Sequence, residues 1–115
     1  MPRHLPIYLR TLRKRGMLTL EELAFLYGIS KSGLSRIEKL ERRPNVELVI
    51  GTEVIFGTPP REAFPALYGE IEGEVMRQAK VLYERLERRT DIKAEDKCHL
   101  LREMIARMDA DSAFL

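Results

Sequence analysis

One cysteine, Cys98, stands in 115 residues, so no disulfide framework forms within a chain and a reducing compartment is expected. No run of about 18 apolar residues occurs, which excludes a spanning helix. The opening MPRHLPIYLR has neither the apolar stretch nor the small-residue cleavage site of an export signal. A cytoplasmic protein follows by elimination. The glycines never gather into a phosphate-binding loop. His4 and His99 lie apart from each other and from any Ser or Asp pattern, and read as surface residues. Glu70, Glu72 and Glu74 fall close together, but no His or Cys lies at ligand spacing, so a solvated face is expected. Nothing marks a catalytic residue, a metal site or a cofactor, and an enzyme is not expected.

Apolar residues make up 44% of the chain and charged residues 33%, the balance of a globular rather than a disordered protein. The net charge of +2 is small, but its distribution is uneven. Residues 1–43 carry a balance of +6, residues 44–76 one of −5, and residues 77–115 one of +1. A positive segment of this kind suits a phosphate backbone.

Helical spacing dominates, with no sustained period-two alternation, no internal repeat and no low-complexity tract. A first helix is expected over residues 6–15, with Pro6 in its first turn, apolar positions at Ile7, Leu9 and Leu12, and Gly16 closing it. Residues 19–44, TLEELAFLYGISKSGLSRIEKLERRP, carry the strongest local pattern. Thr19 and Glu22 form a capping box, and Leu20, Leu23, Ala24 and Leu26 keep helical spacing. Gly28 supplies a left-handed turn, Ser30 caps the next helix, and that helix runs to about Leu40. It buries Leu34 and Ile37 and exposes Lys31, Ser32, Ser35, Arg36 and Lys39. A turn at residues 42–45 leads to a helix over 46–56, apolar enough to be expected at the centre of the core. Thr58 is placed to cap a short turn to Phe64, with Pro59 at its first position. A long helix follows over 65–89 with an apolar stripe at Tyr68, Ile71, Val75, Ala79, Leu82 and Leu86. A last one, over 93–109, carries Cys98, Leu101, Ile105 and Met108 on one face, and the chain beyond is expected to fray. Cys98 reads as a small core residue.

The order of these pieces resembles the Xre/Cro-type helix-turn-helix family of phage and bacterial repressors. The resemblance covers residues 9–64. It rests on Leu12-Arg13, Leu23-Ala24, Gly28-Ile29-Ser30, Ser35-Arg36-Ile37-Glu38 and Arg43-Pro44. It implies an all-α, lambda-repressor-like bundle of four to five helices. Beyond it, residues 65–115 read as a C-terminal helical extension whose apolar stripe either folds back on the last helix within one chain or pairs between two copies, and dimerisation is the expected use. Lys31, Ser32, Ser35 and Arg36 match the family's base-reading positions. Arg36 is the leading candidate for specificity, because its planar fork matches the two acceptors of guanine. Arg10, Lys14, Ser30, Lys39, Arg42 and Arg43 are expected at the DNA backbone, where contacts set register without reading sequence. Arg13 and Glu38 match a structural salt bridge of relatives. Two positions depart from the family: Leu20 replaces a Gln that touches the backbone, and Leu40 replaces the Gly that ends the recognition helix, so that helix is expected to run longer or end differently. Gly33, costly inside a helix, is expected to allow close approach to the preceding helix or to DNA.

The implied function is a sequence-specific transcriptional regulator, a repressor, binding a two-fold symmetric operator as a homodimer. It would be encoded by a bacterium, phage or plasmid and associated with the nucleoid. Tyr68, Ile71, Val75, Leu82, Leu86, Leu101 and Ile105 are the candidates for the dimer interface. The partners are double-stranded DNA and a second copy, with no membrane and no small-molecule effector. Two alternatives stay open: an antitoxin-like autoregulator that holds a toxin with its C-terminal helices, and a protein–protein adaptor that keeps the fold without binding DNA.

Overall fold

The computed structural model describes residues 8–112, with side chains to residue 108; His4, and the part of the expected first helix at Pro6 and Ile7, lie outside these. Among the described residues there are seven helices and no strand: α1 (Leu9–Arg15), α2 (Leu20–Tyr27), α3 (Lys31–Glu38), α4 (Val46–Phe56), α5 (Pro60–Ala63), α6 (Pro65–Glu87) and α7 (Ile92–Ser112). No helix among them is long and apolar enough to cross a membrane. The chain divides into two compact units, residues 1–70 and 71–115. The division falls inside α6, whose Leu67 packs on the core of the first unit.

That core gathers Leu9 of α1, Leu23 and Ala24 of α2, Leu34 and Ile37 of α3, Leu48 of α4, and Ala63 and Phe64. The expectation that α4 is central does not hold. Only Leu48 and Thr52 of α4 are buried, while Val46, Ile50 and Val54 face solvent. Apolar composition gave no preferred side; Leu48 and Thr52 face the core, with Val49, Ile55 and Phe56 partly buried beside them. Gly51 lets α4 approach Tyr27, since a Cβ there would meet the tyrosine ring at 3.2 Å. Thr52 is fully buried yet satisfied: its hydroxyl donates to the Leu48 carbonyl at 2.8 Å and pairs with the Tyr27 hydroxyl at 2.6 Å.

Helix ends differ from expectation in four places. Gly16 keeps an ordinary φ of −82°, and Met17 takes the left-handed turn at φ 62°. The Leu18 amide then reaches back to the Arg13 carbonyl at 3.1 Å, which completes the turn that ends α1. Likewise α3 is not prolonged; it stops at Glu38, and Leu40 adopts φ 67°, with Glu41 N–H donating to the Arg36 carbonyl. Thr58 does not cap α5; Pro59 holds the cap position and Pro60 begins the helix. Finally, α7 stays helical through Ser112 instead of fraying from 109.

In the second unit α6 and α7 pack on each other through Ala79, Leu86, Ala94, Cys98 and Leu101, with Tyr83 and Met104 alongside. Asp91 starts α7: its carboxylate accepts the Ala94 amide at 3.2 Å and is gripped by Arg89 at 2.9 and 3.0 Å. Hydrogen bonding from Arg89 holds the Asp91 carboxyl below its usual range.

Candidate nucleic-acid interface

The interface is assembled by short local devices. Thr19 accepts the Glu22 amide at 3.1 Å, and Glu22 accepts the Thr19 amide at 2.8 Å, which starts α2. Gly28 ends it at φ 74°, a backbone state that a Cβ would strain. Ser30 then caps α3, its hydroxyl accepting the Gly33 amide at 3.0 Å. Within the chain, close approach to α2 does not explain Gly33, since no α2 atom is among the nearest neighbours of a Cβ placed there. A Cβ there would stand 3.0 Å from the Ser30 hydroxyl oxygen and 3.5 Å from an Arg42 guanidinium nitrogen. The glycine thus makes room for the Ser30 cap, and Arg42 lies at ordinary contact distance beside it.

With Gly33, Leu34 and Ile37 turned inward, α3 shows solvent one continuous polar face. Lys31, Ser32, Arg36 and Lys39 are exposed on it, and Ser35 sits half-buried at its centre. Lys31 is paired across the turn with Glu21 at 3.7 Å, a surface contact weak enough to exchange for another anion. Arg10 and Lys14 are exposed four residues apart on α1.

Behind this face the angle of α3 is set by Arg13. Its guanidinium donates to Glu38 at 2.8 and 3.1 Å and to the Leu18 carbonyl at 3.1 Å. The hydrogen bond to Glu38 raises the Arg13 pKa against the opposing effect of burial.

A second surface adjoins the start of α3. Ser30, Gly33, Arg42, Arg43 and Asn45 line a shallow cleft with Ile29, Ile37 and Leu48. The cleft lies where α3 and α4 both begin, and each start carries partial positive charge in addition to the two arginines. Asn45 was not among the sequence candidates. Its side chain caps α4 by accepting the Leu48 amide at 2.8 Å; an Asn just before an apolar helix was the available signal. Arg43 pairs with Glu70 on α6, so one expected backbone contact already has an anionic partner.

Of the candidates for a dimer interface, Leu86 and Leu101 are not available to a second copy, because both are buried between α6 and α7 of one chain. Tyr68 is half-buried and turned onto Arg61, which donates to its hydroxyl at 3.0 Å and lies 4.8 Å from the ring centre. Ile105 is half-buried, whereas Ile71, Val75 and Leu82 are exposed. Glu74 pairs with Arg77, which lowers its pKa. Among the described residues no group of three His, Cys, Asp or Glu side chains comes together to hold a metal.

Comparison with known proteins adds one match. Residues 9–62 fit the family model described as helix-turn-helix. No curated protein and no solved structure matches the chain. The matched residues span α1 to α5, the part that holds the capped α2–turn–α3 pair and its polar face. Residues 9–62 therefore form a helix-turn-helix domain of the Xre/lambda-repressor-like kind, a family of DNA-binding regulators.

Proposed function

We propose that the protein is a sequence-specific transcriptional repressor that binds a two-fold symmetric operator as a homodimer. The observation that carries this reading is the continuous polar face of α3, beside a cleft where two helix starts and two arginines meet. The face supplies base readers: Arg36 for the O6 and N7 of guanine, with Ser32, Ser35 and Lys31 around it. The cleft, with Arg10, Lys14 and Lys39, supplies phosphate contacts that fix register. Two copies would read half-sites about 34–36 Å apart on one face of the duplex. Repression follows when such a site overlaps a promoter.

Selection of bound duplexes from a random library at about 100 mM salt tests this, since phosphate contacts alone give little discrimination there. The expected result is a palindrome with half-sites one helical turn apart. Absence of any enriched motif overturns the specific-regulator reading. If even nonspecific duplex fails to bind at low salt, the adaptor alternative is favoured.

A further inference from the structure

We infer that the exposed strip of α6 formed by Ile71, Val75, Gln78 and Leu82 pairs antiparallel with the same strip of a second copy. This deepens the homodimer of the proposed function, and it needs nothing from the DNA reading. Ile71, Val75 and Leu82 are 51%, 49% and 44% exposed, and Gln78 is exposed too. Their spacing of four, three and four residues is that of a coiled-coil seam. The strip is centred about 60° round the helix axis from Ala79 and Leu86, which pack against α7. A second α6 therefore fits against the strip without displacing α7. Among the described side chains of α7 the exposed large apolar residues are Ile92 and Leu100, eight apart and about 80° round the axis from each other, so they form no comparable strip.

Charge identifies the occupant and its direction. Layering Ile71 of one copy on Leu82 of the other, and Val75 on Gln78, puts the two-fold axis between Met76 and Arg77. The same point divides the charge of the helix. Residues 65–76 carry Glu70, Glu72 and Glu74 and no base, while residues 77–89 carry five bases and two acids. An antiparallel partner lays each acidic half along a basic half, and a parallel partner sets like against like. The contact is isologous, as a two-fold dimer requires.

Sedimentation equilibrium of the full chain, wild type against the Val75→Glu/Leu82→Glu double variant, reads the association. Wild type is expected to be a dimer, and the variant to raise the dissociation constant roughly tenfold or more. An unchanged helical signal and melting curve in the variant shows that the α6–α7 packing is retained. Orientation is read by oxidation in a Cys98→Ala background. Ile71→Cys mixed with Leu82→Cys is expected to cross-link, and neither alone. A monomeric wild type overturns the inference, as does cross-linking of Ile71→Cys by itself. So does a dimer that survives the double variant but is broken by Ile50→Glu, which would place the interface on α4. Duplex binding measured on the same samples keeps a failure of the DNA reading separate from a failure of the seam.

Discussion

Arg13 and Glu38, 25 residues apart in sequence, form a two-pronged ion pair whose side chains are only 12% and 6% exposed. The pair joins α1 to the end of α3, so the polar face of α3 is oriented by a contact on its opposite side. Removing one partner leaves the other charge nearly buried. Arg13→Ala is therefore expected to cost about 3 kcal/mol in urea unfolding. It is expected to leave base preference intact in whatever fraction stays folded. A loss below about 1 kcal/mol, the value of an exposed pair, would contradict this account.

Arg36 and Arg42 are expected to separate specificity from affinity. Arg36→Ala should remove roughly 1–3 kcal/mol of discrimination between operator and random duplex. Arg42→Ala should weaken both kinds of binding alike and reduce the salt slope by about one phosphate contact. Titrations on both duplexes at several salt concentrations check this, and a sequence-selective defect in Arg42→Ala would reverse the two roles.

Under the proposed function, the Arg43–Glu70 pair would compete with DNA for an arginine. Glu70→Gln is expected to tighten binding to any duplex a few-fold at low salt, with the gain vanishing as salt rises because the pair is exposed. No change in nonspecific affinity would mean that Arg43 does not face phosphate.

Met17 holds a left-handed conformation while the residue is 87% exposed, so little packing offsets the strain. Met17→Gly is expected to stabilise the fold by roughly 1 kcal/mol, the scale of the left-handed penalty. Met17→Val should destabilise it by a similar amount or more. Thermal melting of the three proteins decides, and a less stable glycine variant would show that the side chain contributes packing after all.

Burial raises the Tyr27 phenol above its ordinary value of 10.0, against the lowering effect of the Thr52 hydrogen bond. The folded value exceeds the unfolded one, so the stability involved is present below the unfolded value and is lost as pH rises through the folded one. Unfolding experiments between neutral pH and about pH 11 should show a steeper alkaline loss in wild type than in Tyr27→Phe. At neutral pH that variant should cost only about 1 kcal/mol, since Thr52 keeps its bond to the Leu48 carbonyl. Equal alkaline slopes would remove Tyr27 as the cause.

Much of the interface was legible before the fold was known, because its parts are local. A capping box, a left-handed glycine and a serine cap act within three or four residues. Thr19, Glu22, Gly28 and Ser30 therefore declare α2, the turn and α3 by themselves. The inward turn of Leu34 and Ile37 is a matter of helical period, and it leaves Lys31, Ser32, Arg36 and Lys39 outside. What Leu40 and Met17 do was not legible, since neither is a residue that favours a left-handed turn. Their conformations are imposed by the paths of α3 and α1 into the next helices. The burial of α4 was hidden for the opposite reason: an almost uniformly apolar helix has no preferred side until Gly51 and Thr52 meet Tyr27.

The sequence alone determined the helices, the polar face of α3 and the concentration of positive charge on residues 1–43, all properties of neighbouring side chains. Only the tertiary structure decided which groups remain available. It placed Gly33 beside Arg42, tied Arg43 to Glu70, and spent Leu86 and Leu101 on α6–α7 packing, leaving Ile71, Val75 and Leu82 outside. Availability depends on partners distant in sequence, and no local spacing encodes it.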